Sequence, residues 1–192
     1  MNPPATFWNR GTWLAIKHQI LDTKRIFEGN SIISQNIKFG IYRHDELGTG
    51  QVPNVPLEIL FADARHNLYL VLFSGKGGAT HNIDGKTMKI PPYSVLFVGP
   101  DRLSSFTQTP SKGTHILIFS SLFYNRSTRD AHSLLNSPLF HHFGMVYTQT
   151  PPDESVIYCK TLVYLLHTAK ENFANPLHQD LVHNIIQQIL IM

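Results

Sequence analysis

The sequence predicts a mainly β fold with added α structure: a small antiparallel β-barrel over about residues 57–123, followed by a pair of C-terminal helices. Short runs rich in β-branched and aromatic residues recur there at even spacing, which is typical of sandwiches and barrels. Clusters of Gly, Pro, Asp and Ser separate these runs at the positions where turns are needed. Beyond Asp153 the apolar residues instead recur at helical spacing.

The N-terminal part of the chain combines different patterns. Apolar residues such as Trp13, Leu14, Ile16 and Ile20 predict a short amphipathic helix at about residues 12–27. Residues 37–42 have the composition of a strand, and residues 45–56, which contain several glycines and prolines, are expected to form a loop.

Six strands are expected in the barrel region, at residues 57–62, 67–73, 79–83, 86–90, 94–98 and 114–119. The strongest single signal is Asp84-Gly85, which lies between two of these runs. An Asp-Gly pair favours a two-residue hairpin because a type I′ turn needs positive φ at both central residues. The Gly75–Gly78 region lies between two strands rather than before a helix, so we expect a turn and not a phosphate-binding loop. Closure into a barrel would remove the exposed edges of such apolar strands.

Two helices are expected at the C-terminal end. Asp153 and Glu154 suit the positive end of a helix that runs to about residue 172, and Asn175-Pro176 ends it. A second helix starts near Leu177 and carries an apolar stripe that continues to the last residue without a cap. This ending leads us to expect that the sequence is a piece of a longer protein.

Composition narrows the class of protein. Of 192 residues, 42% are hydrophobic and 15% charged, which fits a folded core and excludes wholesale disorder. The net charge of +3 comes from scattered basic residues, so this chain alone is not expected to bind nucleic acid. The single cysteine, Cys159, falls in a helical apolar pattern and is expected to be a buried thiol. No secretory signal is visible and the longest apolar run is short, so we expect a cytoplasmic protein without membrane spans.

The chemistry-bearing residues favour sensing over catalysis. His66, His81 and His115 fall at or near strand ends, but no His-x-His pair exists, and we expect neither a metal nor another cofactor. Between residues 68 and 123 the only carboxylates are Asp84 and Asp101, both in expected turns, so no catalytic residue is assigned. The apolar interior either is filled by side chains or holds a pocket for one small ligand.

The order of these patterns resembles the N-terminal cupin-like domain of AraC-type transcription regulators. The matching stretches are an apolar strand with a Gly-rich turn, a hairpin, a Pro-containing turn with its strand, and a last strand that ends in Phe-Ser before a Phe-Tyr step: residues 65–77, 81–86, 90–100 and 113–124. Residues 136–140 and the paired helices look like the linker region of that family. The resemblance covers roughly residues 32–192.

The resemblance implies an arm at residues 1–31, a cupin-like barrel of the double-stranded β-helix type at 32–124, and a linker with dimerisation helices at 125–192. It further implies a small-molecule effector in the barrel, a homodimer, and DNA binding through a helix-turn-helix domain that this chain lacks. The ligand-binding candidates are His66, Tyr69, Phe73, His81, Phe97 and His115, and the dimerisation candidates are Leu181, Ile185 and Ile189.

Two alternatives stay open. The stripe at Leu181, Ile185 and Ile189 would also suit packing onto the chain's own barrel. A cupin enzyme that depends on a metal, such as a dioxygenase or an isomerase, is the rival to the sensor. The sequence departs from metal-binding cupins, since Leu70 stands where a carboxylate would be expected and Ser104 or Ser105 stands near the later histidine.

Overall fold

The computed structural model describes residues 39–43, 64–65, 68–100, 102–106, 111–141, 147–149 and 152–191. All of them belong to the unit that spans Ile37–Met192. The helix predicted at residues 12–27, the arm at 1–31, the loop at 45–56 and the strand at 57–62 lie outside the described residues, and so does the candidate His66.

Nine strands and five helices occur in the described ranges. The strands are β1 (Phe39–Arg43), β2 (Ala64–Arg65), β3 (Tyr69–Phe73), β4 (Ala79–Ile83), β5 (Lys86–Ile90), β6 (Val95–Val98), β7 (Leu103–Phe106), β8 (His115–Phe119) and β9 (Tyr147–Gln149). The helices are α1 (Ser121–Tyr124), α2 (Thr128–Leu135), α3 (Pro138–His141), α4 (Asp153–Glu171) and α5 (Pro176–Leu190).

The strands form two antiparallel sheets. The first has the order β1-β8-β3-β6-β9, and the second has the order β2-β7-β4-β5. Among the described residues neither sheet closes on itself, so the β-rich, antiparallel fold with C-terminal helices is confirmed while a closed barrel is not observed. Three strands were not predicted: β2 and β9 are only two and three residues long, and β7 contains two adjacent serines.

The predicted Asp84-Gly85 hairpin is present. Asp84 has φ of 50° and Gly85 has φ of 77°, and Ile83 pairs with Lys86 across the two-residue turn. Positive φ at both central residues is what a type I′ turn requires, and the twist of that turn matches the twist of the flanking strands.

The two long helices begin and end close to their predicted bounds. Asn175 caps α5, since its side chain accepts a hydrogen bond from the Leu177 N–H at 3.0 Å, and Pro176 occupies the first turn, where its missing N–H costs nothing. The predicted linker contains the short helices α2 and α3, whereas α1 falls at the end of the region predicted as barrel. The Ser120 and Ser127 side chains cap α1 and α2 by accepting from the N–H groups of Phe123 and Asp130.

The main apolar core lies between the first sheet and helices α4 and α5. Tyr69, Val71 and Phe73 of β3 contribute to it, together with buried residues of both helices such as Leu166 and Ile186. All five residues of β3 are buried, so both faces of this strand are covered. The alternate residues, Leu70 and Leu72 among them, lie on the opposite face of the sheet.

This arrangement changes the position of three candidate residues. Tyr69, Phe73 and Phe97 were expected inside the barrel, but their face of the sheet packs on the helices. The sequence does not indicate which residues of these strands face the helices, because a strand buried on both faces shows no alternation of apolar and polar residues.

The apolar stripe of α5 is divided between the core and the surface. Ile185 and Ile189 are 2% and 1% exposed and pack within the chain's own core, whereas Leu181 is 41% exposed. A buried polar group also ties α5 to α2, since the Gln187 side chain donates to Asp130 at 3.0 Å. Packing onto the chain's own sheet therefore explains two of the three dimerisation candidates.

No helix in the described part of the chain is both long and apolar enough to cross a lipid bilayer.

Candidate functional site

Among the described residues, a half-open cleft of about 950 Å³ lies between the first sheet and helix α4. This volume lies within the usual range of small-molecule sites, which is roughly 300–1,000 Å³. Three turns close one end of the cleft, and a long stretch of α4, from Val156 to Glu171, forms its other wall.

The strand register explains why the cleft forms there. Arg43 pairs with His115 and His115 pairs with Phe73, so these three residues share the face of the sheet that packs on the helices. Further along the same face, Ile41, Val71 and Leu117 are covered by the helical core. At the end of this face, side chains of the sheet and of α4 border the cleft together.

The inner surface of the cleft is apolar. We use the name apolar floor for five lining residues from β3, β6 and α4: Phe73, Val95, Val156, Cys159 and Val163. Phe73 and Val95 are paired across the sheet and are each less than a tenth exposed. Burial raises the pKa of the Cys159 thiol, so the thiol stays protonated and adds a small apolar surface to the floor.

The outer part of the cleft is strongly basic. We use the name basic rim for five cationic residues of the lining: Arg43, Lys76, Lys112, Lys160 and Lys170. Among the described residues of the lining, the only carboxylate is that of Glu171. Lys76, Lys112 and Lys160 are exposed, and within the described ranges no carboxylate forms an ion pair with any of these three.

The ion pairs elsewhere in the molecule make a useful contrast. Arg102 lies 2.6 Å from Asp84, and Arg126 is paired with Asp180. In the part of the chain that the structure describes, acidic partners therefore lie beside these two arginines but not beside the exposed rim lysines. The chain's mild net charge of +3 thus includes a local excess of positive charge at the cleft.

Two of the rim lysines are held in place by aromatic rings. The Lys160 ammonium lies 5.0 Å from the centre of the Tyr93 ring. Lys170 lies 4.6 Å from the Tyr42 ring and donates a hydrogen bond to the Ile41 carbonyl at 2.8 Å. Each contact restricts a long side chain while leaving it charged, which lowers the entropy cost of meeting an anion.

A histidine pair joins the two walls of the cleft. Nδ1 of His115 on β8 lies 3.1 Å from Nε2 of His167 on α4, and the ring centres are 5.2 Å apart. One of the two facing nitrogens must carry a proton and donate it, and the other must be unprotonated and accept. The pair links sheet and helix directly beside the space that a ligand would occupy.

Hydrogen bonds between the turns make the closed end of the cleft rigid. The Ser74 hydroxyl lies 2.6 Å from the Pro91 carbonyl and accepts from the Ser94 N–H at 2.8 Å. The Gly75 N–H donates to the Thr114 hydroxyl at 3.1 Å.

Two backbone features at this end are specific. A Cβ at Gly75 would overlap the carbonyl oxygen of Lys112, so only glycine allows these turns to approach one another. Tyr93 has φ of 56°, which is uncommon for an aromatic residue and is held by the surrounding bonds. Unusual backbone held by its surroundings clusters at binding sites.

The structure separates the predicted ligand-binding residues. Phe73 and His115 line the cleft. Tyr69 and Phe97 instead pack in an aromatic cluster, with ring centres 4.8 Å and 5.8 Å from that of Phe140. His81 lies in β4 of the second sheet and is not among the cleft residues.

His81 is fully buried, and this burial lowers its pKa from 6.5 to about 4. It is therefore neutral at physiological pH, and its place in the middle of a paired strand suits a structural role. In the portion of the chain that the structure describes, no three His, Cys, Asp or Glu side chains come together in a way that suits a metal ion.

Sequence reasoning missed the basic rim. Its members are spread from residue 43 to residue 170, and each lysine alone has the appearance of an ordinary surface residue. The one available signal was the scarcity of carboxylates between residues 68 and 123, which leaves the local basic residues unbalanced.

Comparison with models of known protein families finds no match to the chain, and comparison with curated proteins finds none either.

Proposed function

We propose that this chain is the effector-sensing and dimerisation portion of an AraC-type transcription regulator. A small molecule binds in the cleft between the first sheet and α4, and DNA is bound by a domain outside this chain. The single observation that carries the proposal is the cleft itself, which has an apolar floor, a basic rim and a rigid closed end.

The arrangement of the sheets supports the family assignment. Both faces of β3 are buried, one against the helices, and the second sheet buries His81, Ile83 and Ile90. We propose that the two antiparallel sheets face one another as the halves of a cupin-like barrel. In this proposal the interior between the sheets is filled by side chains, and the ligand site lies outside it against α4.

The position of the cleft provides a route for signalling. Val163 of α4 lies in the apolar floor, and it also belongs to the core that contains Val182, Ile185 and Ile186 of α5. A ligand that contacts α4 can therefore change how firmly α4 and α5 pack on the sheet. Such a ligand shifts a conformational equilibrium only by its difference in affinity for the two packed states.

Dimerisation remains part of the proposal, with a narrower surface. Because Ile185 and Ile189 are buried in their own chain, only Leu181 of the three candidates is available to a second copy. Light scattering on the native chain and on Leu181→Asp tests this point. If the dimer uses Leu181, the variant should become monomeric at a higher protein concentration than the native chain. A native chain that stays monomeric at high concentration would contradict dimerisation.

The sensor is distinguished from the cupin enzyme by following one small molecule through binding and turnover. We expect metabolites that raise the melting temperature to be recovered unchanged, and to alter amide hydrogen exchange in α4 and α5. Chemical conversion of such a metabolite would instead support the enzyme. So would a stoichiometric transition metal in protein purified without chelator, if the metal were lost on His115→Ala.

A further inference from the structure

We infer that the cleft binds small organic anions, namely molecules that carry a carboxylate or similar group on an apolar, ring-sized body. We rely here on the proposed function, in which a small-molecule effector binds in this cleft. The floor and the rim of the cleft indicate the chemical class of that effector.

The charge of the ligand follows from the rim. Five cationic side chains and one carboxylate line the same cleft, and the exposed lysines Lys76, Lys112 and Lys160 have no carboxylate partner among the described residues. Bringing like charges together without a counter-ion is unfavourable, and an anion relieves this repulsion. A cationic ligand would meet the same repulsion, so the rim selects against it.

The apolar body of the ligand follows from the floor. Phe73, Val95 and Val163 are buried side chains that border the cleft, and α4 adds Val156 and Cys159. Inorganic phosphate or a sugar phosphate would leave this surface without an apolar partner. A ring system that packs on the floor removes apolar surface from water, which favours binding.

The depth of the cleft sets the orientation. The floor lies between the strands and α4, whereas the exposed lysines belong to the turns at residues 74–78 and 111–114 and to the outer side of the helix. A ligand would therefore place its ring against the floor and its anionic group toward the rim. The Lys160 ammonium lies 5.0 Å from the centre of the Tyr93 ring, so its charge is held beside the turns that line the cleft.

Three probes with one ring system and different charges test the inference directly: 1-naphthoate, 1-naphthalenemethanol and 1-naphthylmethylammonium. Calorimetric titration of the native chain should rank them in that order, with naphthoate bound about 10-fold more tightly than the alcohol. Raising the salt concentration should weaken naphthoate binding and leave alcohol binding nearly unchanged, because only the charged probe is screened.

Charge variants locate the site. Lys112→Gln and Lys160→Gln should each weaken naphthoate binding by about 3- to 5-fold, the effect of removing one partly screened charge contact. Lys89→Gln is the matched control, since it also removes one exposed lysine charge but lies on β5 away from the cleft. Melting temperatures of all three variants verify that each remains folded.

The outcomes separate the ligand class from the sensor function. Equal binding of the three probes, or equal weakening by Lys89→Gln and Lys160→Gln, would overturn the anion inference even if a neutral metabolite proved to be an effector. Charge-selective naphthoate binding that left hydrogen exchange in α5 unchanged would uphold the anion site and refute the sensor.

Discussion

Acidification should destabilise the protein through His81. This side chain is 0% exposed in the middle strand pairs of the second sheet, and burial lowers its pKa from 6.5 to about 4. In the unfolded chain the imidazole binds a proton near pH 6.5, whereas in the folded chain it remains neutral until about pH 4. The unfolded state therefore takes up more protons between these two values, and stability falls as the pH is lowered through this window.

The size of the effect follows from the two pKa values. Their difference of about 2.5 corresponds to about 3 kcal/mol once the pH is below both. Between about pH 7.5 and about pH 5, linkage gives a loss of roughly 2 kcal/mol from this group. Such a loss is a large fraction of the stability of an ordinary domain, which is about 5–15 kcal/mol.

Urea unfolding at the two pH values measures this loss. The chain has ten further histidines, so the native chain is compared with His81→Gln, and the difference between their pH dependences isolates His81. His132→Gln, which removes an exposed histidine on α2, is the matched control for the loss of one imidazole. If His81→Gln lost as much stability on acidification as the native chain, the assignment of His81 as a buried neutral group would be refuted.

Three further predictions concern stability at neutral pH. Gly75→Ala should lower the free energy of unfolding more than Gly85→Ala, because a Cβ at Gly75 meets a neighbouring backbone oxygen while one at Gly85 meets open space. Urea unfolding should show a loss of about 1 kcal/mol for Gly85→Ala, where only the positive φ is strained. Leu166→Ala should cost about 2–5 kcal/mol because Leu166 is fully buried, whereas Ile157→Ala, at a site 68% exposed, should change the unfolding free energy by less than about 0.5 kcal/mol. Asp130→Ala should lower the melting temperature, because it removes the acceptor for the Gln187 side chain, while the backbone N–H of residue 130 can still donate to Ser127 in the cap of α2. A melting temperature equal to the native value would show that this contact between α2 and α5 contributes nothing to stability.

The parts of the fold that local signals determine were predictable. The Asp84-Gly85 turn is specified by two adjacent residues that tolerate positive φ, and its flanking strands match their predicted bounds. The α4–α5 junction was likewise predictable, because α4 ends at Glu171, shortly before Asn175-Pro176, and Asn175 caps α5.

The faces of the strands were not predictable from local signals. In β3 every residue from Tyr69 to Phe73 is apolar and buried, so nothing in the strand itself distinguishes the face toward the helices. As a result, Tyr69 and Phe97 were expected at a ligand site and are found in a packed aromatic cluster with Phe140.

The candidate site depends on contacts between residues that are distant in sequence. Phe73 and His115 were chosen as ligand-binding candidates and do border the cleft. His167 and Lys160 of α4 line the same cleft, and they come to it only because the helix crosses the end of the sheet. Periodicity alone predicts the helix, but the place where it crosses the sheet depends on tertiary packing.

Our central proposal is that a small anion with an apolar body binds in the cleft and changes how firmly α4 and α5 are packed. Hydrogen exchange followed by mass spectrometry, with and without saturating 1-naphthoate, tests it most directly. We expect protection in the turns at residues 74–76 and 111–115, in α4, and in α5, which contributes no residue to the cleft lining. Protection confined to the hairpin of β4 and β5, or no protection in either long helix, would contradict it.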